Sequence, residues 1–222
     1  MSPRGDFDRS ARSARTRERL LAAAANVYAR NGVSGATLDD VAAEAGFTKG
    51  AVYSQFGSKE NLLVALLHEH LAAQIAEQIE IFDREGPTWR RPQVGSAHWM
   101  ASLAEDPDAF RLFVELWVYA QRDERLRERL AAGVEAMRAT YGGFAQSTAT
   151  DAGIEPLPHA SERFASIVVG LGIGLAMMRL VDPQAVPEGL LGDALSALVR
   201  AAELDEEARE LLAGAGERAT SA

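Results

Sequence analysis

The side chains whose types and spacing most suggest chemistry are Thr48, Lys49, Gly50, Ala51, Tyr53 and Ser54, which would share one face of a short helix. That face is small, basic and hydroxyl-bearing. A bare or methyl-bearing helix surface lets its backbone enter the major groove of DNA and touch thymine methyls. Lys49 could donate to guanine O6 and N7, and Thr48 and Ser54 could reach base edges or phosphates. Tyr53 could set its hydroxyl on a phosphate, which fixes register without reading sequence. Taken singly, each of these is equally an ordinary solvated position; the pattern as a whole favours DNA.

Two short helices are needed to present that face, and residues 37–56 spell them. Thr37 precedes an apolar-periodic run and is followed three residues later by Asp40, a capping-box-like start. Leu38, Val41, Ala42 and Ala45 then fall on one helical face. Gly46 stands where a left-handed residue would end the helix. Thr48 can cap the second helix, whose Val52 and Phe56 point inward. The stretch reads as a helix-turn-helix.

Residues 19–32, 37–56 and 57–63 together resemble the DNA-binding domain of the tetracycline-repressor (TetR) family, over residues 15 to about 67. The resemblance implies an all-α fold: an N-terminal three-helix helix-turn-helix DNA-binding domain plus a larger C-terminal helical ligand-binding and dimerisation domain. It implies a homodimeric, one-component transcription regulator. Position by position, Thr37, Thr48, Tyr53 and Lys59 match family phosphate contacts, and Lys49, Gly50 and Ala51 match the base-facing turn. Ser54 is a departure, since many members carry histidine or tryptophan after the tyrosine. Arg15 and Arg17, at the start of the first helix, complete the expected DNA contacts.

The charge distribution fits this reading although the chain is acidic overall, at −9. The first 60 residues hold nine Lys or Arg against seven Asp or Glu, a net +2, so the other 162 carry −11. Both lysines of the chain, Lys49 and Lys59, lie in or beside the motif. An acidic body would confine DNA contact to the two reading heads of a dimer. The 47% hydrophobic and 25% charged composition is an ordinary globular balance with material for a core. Zero cysteines exclude a disulfide framework and thiolate metal sites. The Arg-rich start has no secretory apolar region, and no run approaches the roughly 20 apolar residues of a membrane span. A cytoplasmic protein with no membrane partner is expected.

Along the chain, residues 1–13 are expected to form a flexible tail, 14–60 the DNA-binding domain, 61–212 the ligand-binding and dimerisation domain, and 213–222 a second flexible tail. Asn31 and Gly32 should end the first helix. Ser58 should cap a long helix to about Phe82, which would join the domains. Residues 83–95 break periodicity and read as a loop containing Trp89. Helices are expected near 96–104, from Asp106-Pro107, and over 123–147 with a bend at Gly142-Gly143. A loop at 149–159 precedes a hydrophobic helix from 161 to about 181, and Pro187 starts the next. The acidic stretch after 205 is expected to fray.

Aromatic and sulfur-bearing residues gather in the middle helices. Trp99, Phe113, Trp117, Met137, Tyr141, Phe144 and Met177, with His70, are the candidate ligand pocket. They suit a small, largely apolar or aromatic effector, with Tyr141, His70 or His98 as polar handles. Core packing is the competing role for each. Phe164, Val168, Leu171, Leu175, Leu195, Leu198 and Val199 make two helices over-hydrophobic for a monomer surface, so they are the candidate dimer interface. Gly170, Gly172 and Gly174 lack the spacing and preceding strand of a nucleotide loop.

Neither a catalytic, a metal nor a cofactor site is expected. His68 and His70 point about 200° apart around a helix and cannot chelate one ion together. A structural DNA coater would spread basic charge over its surface, which this chain does not. The reading is a ligand-responsive dimer that binds double-stranded palindromic operator DNA, most simply a repressor released by its effector, although the same architecture could activate.

Overall fold

The computed structural model describes residues 3–84, 91–151, 153, 159–204, 207, 208 and 210. Among them lie nine α-helices and no strand, as an all-α reading requires: α1 Pro3–Gly35, α2 Leu38–Ala45, α3 Lys49–Phe56, α4 Lys59–Arg84, α5 Arg91–Glu105, α6 Pro107–Ala120, α7 Glu124–Asp151, α8 Ala160–Val181 and α9 Leu190–Leu204. Packing groups them into two compact units, one of residues 1–70 with 108–131 and the other of 71–107 with 132–222. The boundary expected near residue 60 followed the end of the helix-turn-helix, whereas the packing draws α6 and the start of α7 into the first unit.

The first unit is built on local stop and start signals. Thr37 and Asp40 form a complete capping box: the Asp40 N–H donates to Thr37 Oγ1 at 3.2 Å and the Thr37 N–H to Asp40 Oδ2 at 2.8 Å. Gly46 ends α2 at φ 69°, ψ 33°, a left-handed geometry that only glycine adopts without strain. Thr48 caps α3 by accepting from the Ala51 N–H. The apolar stripe of α2 and the inward Val52 and Phe56 of α3 are buried with Leu20, Val27, Leu62 and Leu67, which fixes the angle between the two short helices.

In the second unit α5 packs on α8 and α9, and α8 on α9. Val168, Leu191 and Leu195 form a buried cluster against which Trp99, Tyr141, Phe164, Leu175 and Leu198 pack. Close approach depends on Gly192, where an added Cβ would stand 2.9 Å from the Gln93 Cα.

Several expectations are corrected. The segment expected as an N-terminal tail is helical from Pro3, because no breaker interrupts residues 6–31 and an existing helix propagates at low cost. The Gln55 amide also donates to Ser13 Oγ at 3.2 Å, tying that extension to α3. Part of the expected loop at 83–95 is the first turn of α5, which accommodates Pro92 because early helical N–H groups need no partner; Trp89 lies outside the described residues. α7 runs without interruption through Gly142 and Gly143 to Asp151, and α9 begins at Leu190 rather than at Pro187. The expected tail at 213–222, the fraying stretch after 210 and most of the loop at 149–159 also lie outside the described residues. Finally, α8 is long and apolar enough to cross a membrane, with a mean hydropathy of 2.0 over 18 residues. Its glycines and alanines disguise that run when only bulky residues are counted.

Candidate nucleic-acid interface

The caps that fix α2 and α3 turn one face of α3 outward. Thr48, Lys49, Gly50, Tyr53 and Ser54 are exposed and Ala51 is half-buried, so the six expected residues form one continuous surface. Tyr53 is 44% exposed although it is large and aromatic. At Gly50 an added Cβ would meet nothing closer than Thr48 Oγ1 at 3.8 Å. The fold itself does not require glycine there; the bare backbone matters only to something approaching from outside.

The cations around this face are held in different ways. Lys49 donates to Asp39 Oδ2 at 2.8 Å, and this contact raises the lysine pKa from its ordinary value. Both side chains are more than half exposed, so the pair is screened and easily exchanged for another anion. Arg15 is exposed, while the Arg17 guanidinium lies 5.0 Å from the Phe56 ring centroid. Lys59 is committed within the fold. Its ammonium donates to the Ala36 carbonyl at 2.6 Å and sits 5.7 Å from the ring of Tyr28. Its expected phosphate contact therefore competes with a structural bond that closes the approach to α2. Thr37 likewise spends its hydroxyl on the capping box. Arg19 and Arg30, not singled out in the sequence, brace the motif. Arg19 donates to the carbonyl of Ala45 and lies over Phe47, and Arg30 pairs with Glu44 at 2.7 Å.

The residues expected to line a ligand pocket fall into both units. In the first, His70 and Phe113 line a groove of about 580 Å³ whose walls are Leu21, Leu66, Leu112 and Leu116. Trp117 meets the Phe113 ring edge-on at 5.5 Å. In the second, Phe144 stacks on Phe82 at 3.9 Å and meets Tyr141 edge-on at 5.9 Å. Burial pushes the Tyr141 hydroxyl pKa up to about 12. Trp99 and Tyr141 pack against the Val168 cluster, and Met137 is half-buried. Met177, expected in the pocket, is instead 48% exposed. His98 pairs with Glu77 at 2.5 Å.

The sequence reading missed the polar groups of this interior. Gln74 Oε1 and Gln78 Nε2, both on α4, are buried without a hydrogen-bond partner. A glutamine at the inward spacing set by Leu71, three and seven residues on, was the available signal.

The candidate dimer residues also divide. Val168 and Leu195 pack inside the protomer, 9% and 5% exposed, and Phe164, Leu175 and Leu198 lean on them, with Val199 half-buried. Val168 and Leu195 are thus spent inside the protomer, while Phe164, Leu175, Leu198 and Val199 keep part of their surface. Leu171 does face solvent, and Met177, Met178 and Val181 continue its stripe down α8, with Val181 88% exposed. A helix apolar on all sides leaves its phase undetermined by sequence, which is why Met178 and Val181 were not singled out with Leu171.

Residues 20–66 match the family model described as bacterial regulatory proteins, tetR family. The chain is 47% identical over 58 residues to the HTH-type transcriptional regulator SrpR of Pseudomonas putida, covering 26% of this chain and 27% of SrpR. It is 28% identical over 138 residues to the HTH-type transcriptional repressor AcnR of Corynebacterium glutamicum, covering 54% and 66%. In each case the chain spans less than two thirds of the relative's length. The crystal structure of FadR from Bacillus subtilis in complex with stearoyl-CoA is similar in fold, with a TM-score of 0.69 at 19% identity over 82% of this chain and 96% of that one.

Proposed function

Since the chain belongs to the tetR family of bacterial regulatory proteins, we propose that it is a dimeric, ligand-responsive transcriptional repressor that docks α3 into the major groove of a two-fold-symmetric operator. The observation that carries this reading is the outer face of α3. Its caps and inward Val52 and Phe56 are fully used by the fold, while Thr48, Lys49, Gly50, Tyr53 and Ser54 are left to solvent. Arg15 and Arg17 would reach the flanking phosphates, and Lys49 would exchange Asp39 for a base edge or phosphate on docking.

The dimer of this proposal uses the exposed stripe of Leu171, Met178 and Val181, together with Leu190. Burial against a second copy gives the apolar face of α8 a partner other than a membrane, as a cytoplasmic protein requires. The effector is largely apolar or aromatic and enters the interior of the second unit. There it would satisfy Gln74 and Gln78 and displace apolar contacts at Tyr141 and Phe144. It releases DNA by preferring a conformation with mis-spaced reading heads. Stearoyl-CoA, bound in the FadR crystal structure, is among the first compounds to test.

Selection of duplex DNA from a random pool by purified protein, at two salt concentrations, tests the central claim. Enrichment of a symmetric site whose affinity falls with salt is expected; failure to enrich any sequence would end the reading. With that site as probe, Lys49→Ala is expected to change sequence preference, shifting discrimination at one base pair per half-site by about 1–3 kcal/mol. Saturation of a diverse hydrophobic compound set, acyl-CoAs included, without thermal stabilisation would count against the effector.

A further inference from the structure

The approach to the helix-turn-helix is interrupted at Gly32, where φ is 73° and ψ 155° inside the span of α1. At this break the Val33 N–H donates to a side chain 82 residues away, Glu115 Oε2 on α6, at 2.6 Å. A Cβ on Gly32 would stand 3.3 Å from the same oxygen, so the glycine also makes room for the carboxylate. Beyond the break the Ala36 N–H donates to the Gly32 carbonyl at 3.2 Å, and the Ala36 carbonyl accepts from Lys59. Thr37 follows and opens α2.

The five residues from Val33 to Thr37, between the break and α2, are thus gripped on one side by an ammonium of α4 and on the other by a carboxylate of α6. The two grips differ in what they connect. Lys59 lies beside the motif in sequence. Glu115 comes from a helix that the chain enters directly from the second unit, residue 107 belonging to that unit and 108 to the first. Any shift of α6 along its axis would carry the carboxylate and the Val33 amide with it.

We propose that Glu115 is a positioning residue for DNA reading: its carboxylate, bonded to the Val33 N–H, sets the angle at which α2 and α3 leave α1 and couples that angle to α6. This inference rests on the DNA-binding reading given above. The bond is charge-assisted and so stronger than an ordinary amide contact. Glu115 itself is exposed, so water can solvate the Val33 N–H when the carboxylate is removed. The loss is therefore one of orientation more than of stability.

The test compares wild type, Glu115→Ala and Glu115→Gln on the duplex that wild type selects from a random pool, alongside amide exchange at Val33 and thermal melting. Glu115→Ala is expected to bind about tenfold more weakly per reading head, the equivalent of one charge-assisted bond. Its Val33 amide should exchange faster while its melting temperature stays near wild type. Glu115→Gln retains an oxygen that can accept the same bond and should hold affinity within about threefold. A merely structural glutamate would lower melting and leave no selective rescue by glutamine. Wild-type affinity in Glu115→Ala, or equal loss in both variants, overturns the inference while leaving DNA binding intact. A wild-type protein that selects no duplex removes the DNA-binding reading and this inference with it.

Discussion

Around residues 37–56 the turns are closed by the chain's own groups. Thr37 and Asp40 satisfy one another, Thr48 accepts from Ala51, Arg19 bonds the Ala45 carbonyl, and Lys59 and Glu115 hold the segment from Val33 to Ala36. Tyr28 is the exception, a buried hydroxyl without a hydrogen-bond partner, its pKa raised mainly by burial. In the second unit the accounting runs the other way. Gln74 and Gln78 bury polar atoms with nothing bonded to them, and α8 offers Leu171, Met177, Met178 and Val181 to solvent. Under the proposed function the contrast has a reason: a surface that docks on DNA must be rigid before contact, so its supports are internal, whereas a region that responds to an effector and to a second copy would leave groups for each to satisfy.

The sharpest way to break that contrast is to charge the exposed stripe. Met178→Glu combined with Val181→Glu should leave helicity unchanged and abolish the proposed dimer in sedimentation. Operator affinity should fall by more than about a hundredfold, since the second reading head loses its effective concentration. If the variant stays dimeric and binds DNA as before, the apolar face of α8 has another purpose.

Next in size is Gln78→Leu. Removing a buried amide that lacks a partner should stabilise the effector-free protein by about 1–2 kcal/mol, read by chemical denaturation. It should leave DNA binding alone while weakening the response to any effector that restores the bond. Destabilisation instead would mean that Gln78 is already satisfied, by water for example, and that the second unit is as self-contained as the first.

These regions also differ in how much the sequence disclosed. Thr37, Asp40, Gly46 and Thr48 act within three or four residues of themselves, so pattern alone placed α2, the turn and α3. The interior of the second unit depends on contacts between helices distant in sequence. Apolar residues surround α8 on every side, and only the packing of Ala165, Val169 and Ala176 shows which of them turn inward. The bond from Glu115 to Val33 has no local signature, because Gly32 reads simply as a helix stop and Glu115 as one more surface acid. The helical N-terminal extension was obscured for a related reason: its polar, non-periodic residues carry no amphipathic signal even though nothing in them breaks a helix.

Within the first unit, Thr37→Ala should cost about 1 kcal/mol of stability through loss of the cap. Its pH dependence tests the reciprocal bond. The Thr37 hydroxyl first, and the Thr37 N–H second, hold the Asp40 carboxyl below its ordinary pKa. A depressed folded-state value means that the contribution is fully present above the unfolded pKa and is lost as pH falls through the folded one. The advantage of wild type over Thr37→Ala in denaturation midpoint should therefore be constant near neutrality and shrink below about pH 4. A difference that persists unchanged into acid would show that Asp40 takes no part in the cap.

The smallest effect expected is that of Tyr53→Phe, and it separates the two kinds of contact assigned to α3. Tyr53 is exposed and its ring already lies 5.8 Å from the Lys49 ammonium, so removing the hydroxyl should leave the fold and the position of Lys49 unchanged. If the hydroxyl binds a phosphate, affinity should fall by about 0.5 kcal/mol on every duplex alike. A neutral donor releases no counterion, so the salt dependence should keep its slope, whereas removing a lysine that contacts phosphate would lower that slope by about one. A loss confined to one sequence would instead place Tyr53 on a base edge, and the reading surface of α3 would extend two positions beyond Ala51 toward its C-terminal end.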